Sequence, residues 1–302
     1  MHLKRYRLLS FFLLIFLLIL SGCSSKAATN KDSGSKIKIV TTTDFYAEVA
    51  KAVVGDKGTV TSIINNPAID PHDYEPTTNV AKQVSNADIT VANGLGYDSW
   101  MNKLNQDDNS TFIKIGENVM NKKIGDNPHI WYEPQTMPKY AKYLAKELAK
   151  KYPDDKTYFE NNAQKYISTL QPVQRELTKL RQKSQSSKNK NVYVSEPVFD
   201  YSLKATGFKV TNKSFEKAIE NGTDPTPADI KKMNEGIKNK QISFFVLNTQ
   251  TDSKIINNFV KKAKANNIPI LKVTETLPKD KTYKQWMLSQ YKQLNQILQS
   301  EK

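Results

Sequence analysis

The sequence predicts an α/β fold of two lobes, each with a parallel β-sheet flanked by helices, bridged by one long α-helix. Strand-like and helix-like segments alternate from Lys36 onward, which is the pattern of parallel sheets. The alternation stops at Asp154–Lys183, a polar and helix-prone stretch, and resumes at Asn191. A helix of about 30 residues would be roughly 45 Å long, enough to run the length of both lobes.

The elements of the first lobe are recognised by hydrophobic periodicity and by the turn residues that separate them. The predicted strands are Lys36–Thr43, Thr59–Ile64, Ile89–Ala92 and Thr111–Ile115. The predicted helices are Phe45–Val54, Thr77–Asn86 and the amphipathic Met137–Lys151.

The second lobe repeats the alternation without a detectable sequence repeat. The predicted strands are Asn191–Ser195, Phe208–Thr211, Ile242–Leu247 and Ile268–Val273. The predicted helices are Val198–Thr206, one that begins at Thr226-Pro227, Ser253–Asn266 and Asp280–Ser300. Thr226 is the expected N-cap and Pro227 the first helical residue. Within the bridging stretch, Pro172 should bend the helix or mark a break.

The N-terminus is predicted to be removed from the mature protein. Positively charged residues precede a nearly unbroken apolar run at Leu8–Leu20, the pattern of a signal peptide over residues 1–22. The run is shorter than the about 20 apolar residues that a membrane-spanning helix needs. Cys23, the only cysteine, follows Leu20-Ser21-Gly22 in a box that resembles the bacterial lipoprotein signal. We therefore expect lipidation of Cys23, the alternative being an ordinary secreted protein with a stray cysteine.

The chain is predicted to consist of five parts. The signal peptide (1–22) is followed by a flexible, polar tether (23–36), an N-terminal α/β lobe (37–152), the bridging helix (153–187) and a C-terminal α/β lobe (188–302).

The charge favours an anionic surface over nucleic acid as a partner. The formal net charge is +15, and loss of the signal peptide leaves about +12. Lysines are scattered along helix faces without aromatic-basic clusters, which argues against nucleic-acid binding. Attraction to an anionic cell envelope explains the charge more simply.

Two histidines are the strongest functional signal. The chain has three histidines, and the two outside the signal peptide lie in similar loops. His72 stands in DPHDYEP and His129 in NPHIWYEP, each directly after a proline and followed by Glu-Pro. Either one alone is as well explained as a hydrogen-bonded surface histidine. Together, in a chain that otherwise avoids histidine, they predict metal ligands.

The second lobe has no histidine, so carboxylates at strand ends are its candidate ligands. Ligands of open α/β sheets bind beyond the carboxyl ends of the strands. Glu196 follows the strand Asn191–Ser195, and Asp252 lies a few residues beyond Ile242–Leu247. Glu196 is otherwise a solvated loop carboxylate, and Asp252 is otherwise a helix N-cap. Two imidazoles and two carboxylates would suit Mn²⁺, Zn²⁺ or Fe²⁺ in the interlobe cleft.

These segments resemble the manganese/zinc-binding lipoproteins of bacterial ABC importers. The resemblance rests on DPHDYEPT, NPHIWYEP, VSEPVFDY and the looser VLNTQTD, and it covers the whole mature chain. It implies two α/β lobes bridged by a long rigid helix, with the metal held by His72, His129, Glu196 and Asp252. Many members have a glutamate where this chain has Leu247-Asn248, and many zinc-specific members have a histidine-rich loop that is missing here.

The resemblance implies a function, which the composition does not contradict. The protein would be a monomer held at the extracytoplasmic face of the cell membrane by its lipid. It would capture Mn²⁺ or Zn²⁺ and deliver it to an ABC permease and its ATPase subunit. A surface adhesin with a structural metal and a metalloenzyme on the same ligands are the alternatives. The sequence contains neither Gly-x-Ser-x-Gly near a histidine nor His-Glu-x-x-His, which disfavours a hydrolase.

Overall fold

The computed structural model describes residues 36–105, 110–251 and 253–300. Two four-stranded, all-parallel sheets flanked by helices confirm the predicted α/β class. The predicted signal peptide, Cys23 and all of the predicted tether except Lys36 lie outside the described residues, as does Asp252. In the described part of the chain, no helix combines the length and the apolar character needed to cross a membrane.

Both sheets have the same strand order. The first has the order β2-β1-β3-β4 and the second β6-β5-β7-β8, so in each the first strand along the chain lies between the second and the third. The strands are β1 (Ile37–Thr43), β2 (Gly58–Ile64), β3 (Ile89–Ala92), β4 (Thr111–Lys114), β5 (Asn191–Val194), β6 (Lys209–Val210), β7 (Phe245–Asn248) and β8 (Ile270–Val273). Parallel strands present their carboxyl ends at one edge, and that edge carries the loops of interest.

The helices begin and end near the predicted residues. They are α1 (Asp44–Val54), α2 (Thr78–Ser85), α3 (Trp100–Leu104), α4 (Thr136–Lys151), α5 (Lys156–Thr169), α6 (Gln171–Gln185), α7 (Asp200–Thr206), α8 (Lys213–Glu220), α9 (Pro227–Lys238), α10 (Lys254–Ala265) and α11 (Tyr283–Ser300). Thr226 caps α9 as predicted, since its side chain accepts a hydrogen bond from the Asp229 amide. Helices α3 and α8 were not predicted.

The bridging segment consists of two consecutive helices and not of one continuous helix. Helix α5 ends at Thr169, Leu170 intervenes, and α6 begins at Gln171 with Pro172 in its first turn. Proline has no N–H to donate and its ring crowds the preceding turn, so the break falls where Pro172 indicated. Helix α5 packs on α1 and α4, whereas α6 packs on α7 and α11. The break therefore lies where the packing changes from one sheet to the other.

A continuous hydrophobic core joins the two sheets. It includes Ile39 of the first sheet, Val194 of the second and Leu177 of the bridging segment. Trp131 and Trp286 are fully buried, and Phe45 lies between their rings, 5.0 Å and 5.9 Å away by ring centroids. Each such side chain contributes on the order of 2 kcal/mol by leaving water. The loops at the strand ends are therefore built on a rigid base.

Candidate metal centre

The loop that carries His72 follows β2 and is held by polar contacts at both sides of the histidine. Asp70 Oδ1 accepts a hydrogen bond from the His72 amide at 2.8 Å, and Trp100 Nε1 donates to the Pro71 carbonyl at 3.3 Å. The Tyr97 ring packs edge-on against the imidazole, with ring centroids 4.6 Å apart. These contacts direct the His72 ring towards the second histidine, whose ring centroid is 6.5 Å away.

His129 is fully buried, and its neighbour Asn127 determines which ring nitrogen is free. Asn127 Nδ2 donates to the Pro197 carbonyl at 2.7 Å, so its Oδ1 is the atom that faces His129. That oxygen accepts from the His129 amide at 2.9 Å and lies 2.8 Å from Nδ1 of the ring. Because an amide oxygen only accepts, Nδ1 must carry the proton. Nε2 then has its lone pair available for a metal, as in other metal-binding histidines.

Glu275 brings the second lobe to the histidines. It lies two residues beyond the end of β8, and its Oε1 is 3.8 Å from Nε2 of His129. The Tyr97 hydroxyl donates to the same oxygen at 3.1 Å. His72, His129 and Glu275 each place one ligand atom within 4.8 Å of the other two. Glu275 was not predicted from the sequence, although it follows the end of β8 just as Glu196 follows the end of β5.

Glu196, a predicted ligand, is oriented by one donor from the end of β7 and one from the loop after it. Its Oε2 accepts from Asn248 Nδ2 at 2.8 Å and from the hydroxyl of Thr251. Its charge contributes to raising the pKa of His129, but Glu196 is not one of the three groups whose ligand atoms lie within 4.8 Å of one another. Asp252, the other predicted ligand of the second lobe, lies outside the described residues, and its role as a ligand stays a prediction.

Glu220 was also missed, because the helix that carries it was not predicted. It is the last residue of α8, and its Oε1 lies 3.8 Å from Nε2 of His72 and 3.7 Å from Nε2 of His129. Glu220 therefore lies close to both imidazoles, while the group whose ligand atoms are all within 4.8 Å of one another is His72, His129 and Glu275.

The titration of these groups reflects burial and mutual charge. Burial raises the pKa of Glu220 to about 7, and it raises the pKa of Glu196 as well. Burial alone would raise the pKa of Glu275, but His129 and His72 hold it below its ordinary value. Burial lowers the pKa of His72. It would do the same for His129, but Glu275 and Glu220 raise that pKa instead. A bound cation would favour the ionised form of these carboxylates and the neutral form of the imidazoles.

Two side chains from the second lobe form hydrogen bonds with the loop that carries His72. Gln250 Nε2 and Thr276 Oγ1 both donate to the Pro67 carbonyl, at 2.6 Å and 2.9 Å. Gln250 Oε1 in turn accepts from the amides of Glu275 and Thr276, at 2.7 Å and 3.0 Å. We call these contacts of Pro67, Gln250, Glu275 and Thr276 the Pro67 clasp. It ties a ligand-bearing loop of each lobe to the other.

Removal of the Asn127 side chain is expected to lower metal affinity by about 10- to 100-fold, the usual effect of losing the partner of a ligating histidine. In Asn127→Ala the ring of His129 loses the acceptor that fixes its tautomer. Tyr201→Phe is the matched control, because it removes a hydrogen bond to the carbonyl of the same residue and leaves the imidazole untouched. Calorimetric titration with Zn²⁺ measures both. Equal affinity in Asn127→Ala and the wild type would refute the assigned tautomer.

The fold and the donor set together define a class: a two-lobed α/β solute-binding protein whose ligand is a metal ion. Residues 39–297 match the family ZnuA, zinc-uptake complex component A, periplasmic. The chain belongs to this family, whose members are binding proteins for transport and not enzymes.

Curated relatives match over most of their length. The metal ABC transporter substrate-binding lipoprotein FimA of Streptococcus parasanguinis is 30% identical over 281 residues, which cover 85% of this chain and 86% of FimA. The manganese ABC transporter substrate-binding lipoprotein PsaA of Streptococcus anginosus is 28% identical over 278 residues, covering 87% and 86%.

Solved structures share the fold. The SBP FpvC of P. aeruginosa in complex with Ni²⁺ has a TM-score of 0.72 at 19% identity, covering 88% of this chain and 98% of FpvC. The periplasmic zinc binding protein TroA of Treponema pallidum has a TM-score of 0.70 at 17% identity, covering 87% and 99%.

Proposed function

We propose that this protein captures a divalent transition-metal ion, Mn²⁺ or Zn²⁺, outside the cytoplasm and delivers it to an ABC permease. The observation that carries the proposal is the convergence of His72, His129 and Glu275 on one point between the lobes. Within the described residues, Nε2 of His129 is buried and has no hydrogen-bond partner. A buried nitrogen lone pair facing carboxylates is costly without a cation and favourable with one.

In this proposal the ion is held by His72 and His129 from the first lobe and by Glu275 and Glu196 from the second. Donor atoms that share an ion at about 2.1 Å lie roughly 3 to 4 Å apart. The 3.8 Å between Nε2 of His129 and Oε1 of Glu275 agrees with that spacing and is too long for a hydrogen bond. Asp252, predicted from the sequence, remains a candidate for a further carboxylate ligand next to Thr251.

The electrostatics of the site favour a doubly charged cation. Two neutral imidazoles and the ionised carboxylates of Glu275 and Glu196 would together balance the charge of M²⁺. A protein whose task is capture and release needs no open coordination position and no general base, in contrast to a catalytic metal site.

The family and the N-terminal pattern support a proposal for the cellular setting. The manganese and metal ABC transporter relatives are named lipoproteins. We propose that Cys23 is lipidated, that the protein is held at the extracytoplasmic face of the cell membrane, and that it works as a monomer. Its partners would be a permease and the ATPase subunit of that importer. The basic charge favours residence at an anionic surface.

Manganese is the proposed physiological cargo, even though zinc should bind more tightly. Carboxylate-rich sites suit Mn²⁺, which accepts higher coordination, but intrinsic affinity at a nitrogen–oxygen site rises from Mn²⁺ to Zn²⁺. Cargo selection would then depend on which ion is available outside the cell and which loaded form the permease accepts.

The test is direct titration of protein stripped of metal by a chelator. Both ions are expected to bind at one site, with Zn²⁺ displacing Mn²⁺ at equal concentration. Free metal at 100 times its dissociation constant should stabilise the fold by about 2.7 kcal/mol, visible as a raised melting temperature. If neither ion binds or stabilises the protein, the proposed function fails. If Mn²⁺ displaces Zn²⁺, only the order of affinities is wrong.

A further inference from the structure

Glu220 occupies a position that the four proposed ligands leave unexplained. Its Oε1 lies between the two imidazoles, at 3.8 Å from Nε2 of His72 and 3.7 Å from Nε2 of His129. Both distances exceed a hydrogen bond, and both agree with two donors that share an ion. The glutamate is therefore placed as a ligand would be, and not as a hydrogen-bonding partner of either ring.

Most of the surroundings of this carboxylate disfavour its negative charge, although His129 favours it. Oε1 of Glu220 is buried, and no residue in the described ranges forms a hydrogen bond with it. The residue ends helix α8, where the unpaired carbonyls repel a negative charge. Glu275 and Glu196 add two more negative charges nearby. A buried carboxylate in such a place is costly unless a cation is bound.

Helix α8 is anchored, so Glu220 cannot easily turn towards solvent. Lys213, its first residue, forms ion pairs with Asp200 of α7 and, at 2.9 Å, with Glu216. Phe215 is buried and packs against Phe259 of α10, with ring centroids 5.4 Å apart. The helix therefore holds its last residue against the histidines although the carboxylate gains no hydrogen bond there.

We propose that Glu220 is a further ligand of the metal, bound through Oε1 between His72 and His129. The proposal rests on the proposed function and deepens it. With Glu196 and Glu275, Glu220 would make the donor set two nitrogens and three carboxylates, which exceeds the four donors of a closed tetrahedral zinc site. Oxygen-rich sites of higher coordination suit Mn²⁺. Glu220 would thus be a determinant of manganese binding in this chain.

The first test is Glu220→Gln, which keeps the size of the side chain and removes its charge. We expect affinity for Mn²⁺ to fall on the order of 100-fold and affinity for Zn²⁺ about tenfold. The smaller effect on Zn²⁺ is expected because this ion usually has only four ligands. The metal-free variant should melt at the same temperature as the wild type or higher, since an unpartnered buried charge is gone. A residue needed only for structure would lower that melting temperature.

Asp73→Asn is the matched control. Asp73 is exposed, it follows His72 in the chain, and its charge acts on that imidazole. The variant removes the same unit of charge near the site without removing a carboxylate from between the histidines. Its affinity for both ions should stay within about threefold of the wild type, as expected for an exposed charge. An equal loss of metal affinity in Asp73→Asn and Glu220→Gln would show that Glu220 acts only through its charge and not as a ligand. That result would overturn the proposal.

A crystal structure of the Mn²⁺-loaded wild type tests the contact without a variant. Oε1 of Glu220 is expected about 2.0 to 2.2 Å from the ion. A separation beyond about 3 Å with the ion present overturns the role of Glu220 and leaves the proposed function intact. A wild type that binds neither Mn²⁺ nor Zn²⁺ overturns both. Unchanged Mn²⁺ affinity in Glu220→Gln, with wild-type binding confirmed, overturns only the role of Glu220.

Discussion

Metal affinity is expected to fall roughly a thousandfold in His129→Ala, well beyond the 10- to 100-fold typical of losing a partner outside the ligand set. His129 is the most enclosed donor, and Glu275 and Glu220 both lie within 4 Å of its Nε2. Without the imidazole, the ion loses a buried nitrogen ligand. Calorimetry with Zn²⁺, or competition with a chelator of known affinity, measures the change.

Two variants make this result specific. His72→Ala should also reduce affinity strongly, because it removes the other imidazole of the cluster. Tyr97→Phe removes only the hydroxyl that donates to Glu275 and should cost about tenfold. Circular dichroism of the metal-free proteins checks that each variant is folded. Wild-type affinity in either histidine variant would show that the ion binds elsewhere.

The second large effect is a fall in metal affinity on the order of 100-fold between about pH 7.5 and about pH 5.5. Ligands must be deprotonated to bind, so protons compete once the pH drops below the pKa of a free donor. Burial raises the pKa of Glu220 to about 7, so competition begins near neutrality. Burial lowers the pKa of His129, yet Glu275 and Glu220 raise it overall. Protons compete with the metal for His72 only at lower pH, since burial lowers the pKa of its imidazole.

Titrations at stepped pH in non-chelating buffers measure this dependence. Near pH 7 the binding heat should also vary with the ionisation enthalpy of the buffer, because metal binding releases protons. Flat affinity down to about pH 4.5, together with no proton release, would indicate a site made only of oxygen ligands and would contradict the assignment of the histidines.

Most of the fold could be predicted because local patterns and tertiary structure agree. The strand Ile89–Ala92 was predicted with its observed bounds, and the N-cap at Thr226 was identified from Thr-Pro alone. The bridging segment was predicted as one helix, with Pro172 as the sign of a break. Periodicity cannot say whether two helical stretches on either side of a proline remain collinear, since packing on different neighbours decides it.

Helix α8 was missed for a different reason. It has only eight residues, between Asn212 and a polar turn with glycine at Gly222, and only Phe215 and Glu216 in it are buried. Short helices are marginal by their own propensity and form because tertiary contacts support them. Here the ion pairs of Lys213 and the packing of Phe215 provide that support, and neither is visible in the sequence.

The closeness of His72 and His129 agrees with the prediction that both are metal ligands, whereas the nearby carboxylates of Glu275 and Glu220 were not predicted. Histidine is scarce in this chain, so two proline-flanked histidines stand out. Carboxylates are common in the chain. Whether one of them lies near the histidines depends on which strand ends face the cleft, and the sequence does not give that orientation. Glu196 was predicted because it follows the end of a strand, and the same rule applied to the strand ending at Val273 would have indicated Glu275. Glu220 carries no such signal, because it ends a helix.

The Pro67 clasp has a kinetic consequence. His129 has no exposed surface, whereas 35% of the His72 side chain is exposed, so a bound ion would face water on the side of His72. Separation of the two lobes requires the carbonyl of Pro67 to part from Gln250 and Thr276, so release of the ion by that route would depend on the lifetime of hydrogen bonds that do not touch it. A membrane partner that competes for the Pro67 carbonyl or for Gln250 would hasten unloading without acting on any ligand.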